Sequence, residues 1–549
     1  LLEIEKENTK RYFKILIIFL VLFSEFFFSP FLNMAWGGSS IDMPFPRLGM
    51  WWLDAYKESA ASIARYDLVL NEFDDASLFT KLEKARKLNP KMLVFRPISP
   101  SECVHFRQVP GGRRVPNPEI KKLPTCFFLT ECGSVLSKGV NKSAGVIHVE
   151  KILRDDGTPL FFAGGELAIG DYESALVSFV DIKKKVIKLK RGYVREASDH
   201  LKGERVAMHV RFWPETWVMN ITAACPEVKV NGIDKNIRWL EYFFMMLTDR
   251  QLLKKVTGEA DAANWAYLDN KNAAYDGIVI DRFSDAQSWL AATDPARKKE
   301  LDLFCNNSSA AAEKFDESCA KGVDILLEFL RKEYRGLKII RNNPLSTNIS
   351  SYDGQVYETS GWKNASLRWW EALFINTDEK TRYPSSCYLD WFKKSACVMV
   401  EVYEDEGFPE GGEKEINPLK RSGFVPNYRR MRFSLASTLL GDGFYSYEAA
   451  TAGHGSFGLM WFDEYDNAGA GKGYLGMPEG SCEKLSSGVY RRKFQKGMAL
   501  CNPGRQCVTL DIENGYKMIK GVQAPRINNG KDAGRLTLEG FDGLILLKK

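Results

Sequence analysis

The stretch that decides the fold is Tyr275-Asp276-Gly277-Ile278-Val279-Ile280-Asp281-Arg282-Phe283. Its β-branched triplet, with no polar alternation, suits a strand buried on both faces, as in a parallel sheet. Asp281 follows at once. A carboxylate at the carboxyl end of such a strand stands at the rim where α/β folds place their chemistry. A lone Asp there equally well caps a following helix or pairs with Arg282. What decides between these readings is that the pattern recurs along the chain.

On the amino side, Arg47–Trp52 reads as a first strand, Ala55–Arg65 as a helix and Asp67–Glu72 as a second strand ending in a carboxylate. Ala76–Leu88 has helical periodicity and stops at Asn89-Pro90. Lys91–Pro97 is a third strand. Strand, helix, strand, helix, strand at this spacing predicts a parallel sheet with helices outside. From about Ser99 to Arg211 the texture becomes rich in Gly, Pro and Lys and alternates, which predicts a β-rich insertion. Its lysines 183, 184, 185, 188 and 190 read as a basic binding face or, more simply, a solvated strand face. The rhythm resumes with Trp217–Thr222 as a fourth strand, a helix at Ile237–Leu253, and Gly277–Arg282 as the fifth. Then come a helix at Val323–Tyr334, Leu337–Asn343 as the sixth strand, Gly354–Thr359 as the seventh, Cys397–Val402 as the eighth and Met431–Leu440 as a final helix. The expectation is an α/β fold, a (β/α)8 barrel over 45–485. It carries the insertion at 100–212 after strand 3 and a small all-β, sandwich-like module at 486–549. A doubly wound open sheet is the alternative, but neither a dinucleotide fingerprint nor a phosphate loop is present.

Residues 1–36 combine Lys10, Arg11 and Lys14, the apolar run Ile15–Phe23 and a small-residue exit at Ala35, Gly37 and Gly38. They read as a secretory signal or, if uncleaved, a membrane anchor, so the protein is expected to be secreted or at the cell surface. The 549 residues carry 76 basic and 70 acidic side chains. That small excess does not argue for a nucleic-acid partner. Eleven cysteines suit export, and Cys126/Cys132, Cys305/Cys319, Cys387/Cys397 and Cys501/Cys507 are spaced to pair locally. With five His and no C-x-x-C, neither a metal nor any other cofactor is expected.

Acidic residues end four predicted strands: Glu72, Asp281, Glu358 and Glu401. A closed barrel gathers such ends at one mouth. Two carboxylates held apart there serve as general acid and as base or nucleophile at an acetal carbon. Asp281 and Glu358 are the expected catalytic pair. Glu72 has the simpler reading of a helix cap, and Glu401 that of an outward edge residue. Arg96, Arg282 and Arg341 stand at strand ends, as does Asn342. Trp51, Trp52, Trp362 and Trp461 are aromatic faces for a sugar ring or core residues.

Three features together resemble the glycoside hydrolases of hypothetical glycosyl hydrolase family 15. These are the Arg47-Leu48-Gly49 strand, the Tyr275–Asp281 run, and the block Met431–Glu448 followed by Trp461-Phe462-Asp463-Glu464-Tyr465-Asp466-Asn467. The Arg491–Phe494 and Asn528-Asn529-Gly530 stretches extend the likeness, and the 99–211 insertion departs from it. The resemblance implies a secreted barrel enzyme that cleaves glycosidic bonds of a poly- or oligosaccharide. It adds Asp463 and Glu464 to the substrate-binding candidates Trp52, Glu72, Arg96, Arg282, Asn342, Trp362 and Glu401. The competing reading is a non-catalytic carbohydrate-binding or surface scaffold protein on the same barrel.

Overall fold

The computed structural model describes residues 41–52, 58–71, 76–108, 114–121, 123–211, 216–230, 232–249, 251, 275–281, 287–292, 300–342, 352–359, 397–403, 424–448 and 459–549. The 1–36 segment expected to direct export lies outside these residues. No helix among the described residues is long and apolar enough to cross a membrane.

Eight parallel strands follow one another in chain order: Gly49–Trp52, Leu68–Asn71, Leu93–Ile98, Gly277–Ile280, Lys338–Asn342, Gly354–Thr359, Cys397–Tyr403 and Phe444–Glu448. The sheet closes on itself. Leu48 bridges Tyr445 in parallel, and the Tyr445 N–H donates to the Arg47 carbonyl at 3.0 Å. The molecule is therefore a (β/α)8 barrel, and closure leaves no sheet edge exposed. Side chains alternate across the wall. Trp51, Leu70, Phe95, Val279, Ile340, Val356, Met399 and Phe444 belong to the cluster inside the barrel. Met50, Val69, Val94, Ile278, Ile339, Val398 and Tyr445 pack outward under the helices. A strand buried on both faces reads as an unbroken apolar run, which is why these segments were legible.

One strand was misplaced by the sequence reading. Thr216–Val218 is not the fourth barrel strand. It pairs antiparallel with Glu102–Val104 in the insertion. The true eighth strand is Phe444–Glu448, and the helix Tyr428–Leu439 precedes it. Trp217 is fully buried, so its neighbourhood carries the same apolar signal as a barrel strand. Its indole is stacked between His105 at 4.9 Å and His209 at 3.9 Å, and its N–H donates to Glu166 at 2.7 Å.

The chain leaves the third strand at Ile98 and rejoins the barrel at Gly277, which lies parallel to it. Between them stand a six-stranded antiparallel sheet over 134–208, with its own apolar core, and the helix Trp239–Thr248. The sheet joins the rest of the chain through neighbouring strands, since Val135 pairs with Arg205 and Ser134 with Val206. At the carboxyl end a five-stranded antiparallel sheet spans Glu483–Lys548. It is tied to the helix Tyr428–Leu439 by a buried Arg432–Asp542 pair at 2.8 Å, and Arg492 reaches Asp442 at 2.6 Å.

The amino ends of the strands are stitched by a repeated device. Asp67, Asp276 and Asp353 each stand just before a barrel strand, and each accepts a backbone N–H at the amino end of the preceding one. These are Leu48 at 2.9 Å, Val94 at 2.8 Å and Ile339 at 2.7 Å. Each also meets a cation: Lys472 at 2.6 Å, Arg86 at 2.5 Å and Arg331 at 2.9 Å. In two cases glycine follows. A Cβ on Gly277 would lie 2.5 Å from the Lys338 carbonyl, and one on Gly354 only 1.8 Å from that of Cys397. The Asp-Gly dipeptides are thus a clamp followed by a close approach of the next strand.

The expected local disulfides are absent among the described residues. Cys126 is not bridged to Cys132, Cys305 to Cys319 or Cys501 to Cys507, and Cys387 lies outside the described residues. Cys501 is buried against Ser437, 3.5 Å from its hydroxyl, while Cys507 is exposed beside Glu539 at 3.1 Å. The spacing was right for a bridge, but the two side chains serve different surroundings. Burial pushes the Cys305 thiol up to about 11 and that of Cys501 to about 12.

Candidate active site

Strand alternation builds the site. Five successive strands carry an apolar residue inside the barrel: Val279, Ile340, Val356, Met399 and Phe444. Two residues further along each, on the same parity, stand Asp281, Asn342, Glu358, Glu401 and Ser446. The wall therefore changes from an apolar floor to a polar ring at the carboxyl ends of neighbouring strands, where barrel chemistry is housed.

Asn342 donates from its amide to Asp281 at 2.9 Å, and the Asp281 backbone N–H donates to the Ile98 carbonyl at 2.8 Å. Asp281 is half-buried, and Asn342 is buried. Glu358 and Glu401 are register partners across the sixth and seventh strands, and Glu401 is matched to Ser446 of the eighth. Directly paired strand residues lie about 5 Å apart along the ladder. Glu401 is wholly buried, on the parity of Cys397 and Met399, so it is not an outward edge residue. Beyond Ser446, Glu448 is buried, and its carboxylate accepts from the Ser446 hydroxyl at 3.4 Å.

The other expected residues fall elsewhere. Arg96 shares the strand parity of Val94 and Ile98, which pack in the outer layer, and Arg341 shares that of Ile339. The Arg341 guanidinium stands 5.7 Å over the Tyr352 ring. Trp51 is part of the barrel's interior packing rather than its rim. Trp461 lies beside Arg65 and Tyr66, which lead into the amino end of the second strand. Arg65 stacks 3.3 Å over the Trp461 ring, and the Trp461 indole N–H donates to Asp466 at 2.9 Å. Asp463 and Glu464 are buried against the C-terminal module. Asp463 accepts the Gln523 N–H at 2.7 Å, and Glu464 accepts from the Asn528 amide at 3.0 Å. Burial lifts Glu464 above the usual carboxylate range, against the pull of that hydrogen bond. Trp52 ends the first strand. Glu72, Arg282 and Trp362 lie outside the described residues.

Ser446 and Glu448 were missed as site residues. The signal was present, since Phe444 is followed at period two by Ser446 and Glu448. It was hidden by placing the eighth strand one position too early.

No curated protein sequence matches the chain. Three solved structures show slight likenesses. The glycoside hydrolase domain of PelA from Pseudomonas aeruginosa is 12% identical, with a TM-score of 0.29, over 74% of this chain and 95% of that one. An α-amylase from Anoxybacillus is 10% identical, with a TM-score of 0.33, over 90% and 89%. A maltogenic amylase from S. marinus is 10% identical, with a TM-score of 0.34, over 90% and 62%. The barrel rests on its strand order and closure, not on these. The family comparison falls on the ring itself: residues 263–498, which hold the last five barrel strands with Asp281, Glu358 and Glu401, match hypothetical glycosyl hydrolase family 15.

Proposed function

We propose that the protein is a secreted glycoside hydrolase that cleaves glycosidic bonds of a poly- or oligosaccharide with Asp281 and Glu358. The observation that carries this reading is the polar ring: on four of five neighbouring strands an acid stands two or four residues beyond an interior apolar residue, at the carboxyl end of a closed barrel. The family match over the same strands supports it. One carboxyl donates its proton to the glycosidic oxygen as the bond breaks. The other attacks the anomeric carbon or takes a proton from the attacking water. The amide of Asn342 orients Asp281, and Glu401 is the register partner of Glu358 on the next strand. The basic, apolar and small-residue order of 1–36 supports export.

The test is a polysaccharide panel with wild type, Asp281→Asn and Glu358→Gln. Loss of roughly 10³-fold or more in turnover, at unchanged Tm, is the expected result for an acid or nucleophile. Equal turnover in both variants would overturn the assignment. Sugar binding by a wild type that turns over nothing would favour the scaffold reading instead.

A further inference from the structure

One end of the insertion sheet sets exposed apolar side chains among lysines. Strands Glu173–Asp181 and Val186–Lys190 form a hairpin whose connecting turn holds Ile182, Lys183, Lys184 and Lys185. Up to Val177 the first strand buries alternate residues in the module core. A register shift between Val177 and Phe179 then places Phe179 opposite Lys188. Lys188 is in turn paired with Val146 on the next strand. Phe179, Lys188 and Val146 make one row on the open face, with the phenyl ring 50% and Val146 39% exposed. The Lys188 ammonium stands 5.7 Å over the Phe179 ring. At the turn Ile182 is 44% exposed. Five lysines face one aspartate between residues 178 and 190. Only Lys184, 3.9 Å from Asp181, has a carboxylate partner among the ion pairs described there.

A solvated strand face accounts for lysines, and lysines also guard a sheet edge against pairing. Neither accounts for a phenyl ring and an isoleucine held at the tip among them. We infer that this hairpin is a docking surface for an anionic lipid bilayer. Phe179 and Ile182 would enter the boundary between headgroups and acyl chains, while the lysine collar meets lipid phosphates. An acidic polysaccharide fits less well, because aliphatic Ile182 offers no flat face to a sugar ring. The inference uses no barrel residue and stands apart from the proposed hydrolysis.

The test is sedimentation of the full chain with vesicles of equal phosphatidylglycerol and phosphatidylcholine, against phosphatidylcholine alone. Wild type is expected to sediment with the mixed vesicles only, and to be released by salt. The triple variant K183E/K184E/K188E should bind at least about tenfold less, given the contribution of each lysine near a charged surface. The double variant F179S/I182S should also bind less, while keeping the salt dependence. Far-UV circular dichroism should match wild type in both, since every altered side chain is exposed. Failure of wild type to bind the mixed vesicles, or full binding by both variants, would overturn the inference. So would retention on immobilised alginate without vesicle binding, which would assign the lysines to an acidic polysaccharide.

Discussion

Asn342 and Asp281 meet across neighbouring strands at 2.9 Å, and that contact gives Asn342 a role separable from folding. Asn342→Ala removes the amide donor that helps to orient the Asp281 carboxylate. Turnover of a cleaved glycan should fall roughly 10–100-fold, the cost of a slightly misplaced catalytic group, with Tm unchanged. Glu464 calls for the opposite experiment. Its carboxyl is buried between barrel and C-terminal module, and burial raises its pKa. A folded-state value above the unfolded one means that folding prefers the protonated acid. Stability is then fully present below the unfolded pKa and falls as pH rises through the folded one. Glu464→Gln keeps an acceptor for Asn528 and removes the charge. Calorimetry should find Tm raised at neutral pH, on the order of 2 °C, and unchanged near the acid end. Asp281 and Glu401 were legible as single residues because an acid ends an apolar strand. Asp463 and Glu464 came into view only through the family resemblance, since nothing local announces that Gln523 and Asn528 close over them.

Seven of the eight barrel strands could be read from their apolar runs, including polar Gly354–Thr359, whose Asp353-Gly354 start is now explained. Asp353 accepts the Ile339 N–H, and Gly354 lets the seventh strand pass beside it. Asp353→Ala takes the carboxylate acceptor from the buried Ile339 N–H and should cost about 1–3 kcal/mol in denaturant unfolding. Gly354→Ala drives a methyl group into the Cys397 carbonyl and should cost at least as much, about 1–3 kcal/mol or more. If Gly354→Ala were neutral, the close approach of these strands would be wrong. The strand at Phe444–Glu448 escaped notice for a physical reason. Its outward residues are tyrosines whose hydroxyls need partners, as Tyr445 finds in Ser434 at 2.6 Å. A strand faced with tyrosine and serine looks like a loop until the helix that satisfies it is known.

At the scale of the molecule, the insertion carries its own titration. His200 is buried between Glu173 at 2.8 Å and Glu204 at 2.6 Å. Burial works against its charge, but the two carboxylates outweigh it and raise its pKa. The stability this supplies is fully present below the unfolded value near 6.5 and is lost as pH rises through the folded one. Hydrogen exchange across the 134–208 sheet should therefore speed up from mildly acidic to alkaline pH beyond the intrinsic rate. His200→Gln should flatten that dependence, while barrel amides keep theirs. The boundaries of this module could be sensed from composition, but its attachment could not. Only the pairing of Ser134 with Val206 reveals that both chain ends pass through one narrow neck. A lineage that traded everything beyond that neck for another hairpin-bounded unit would keep the same stem and an undisturbed barrel register. The tip that meets a surface and the cavity that does chemistry are thus free to diverge at different speeds.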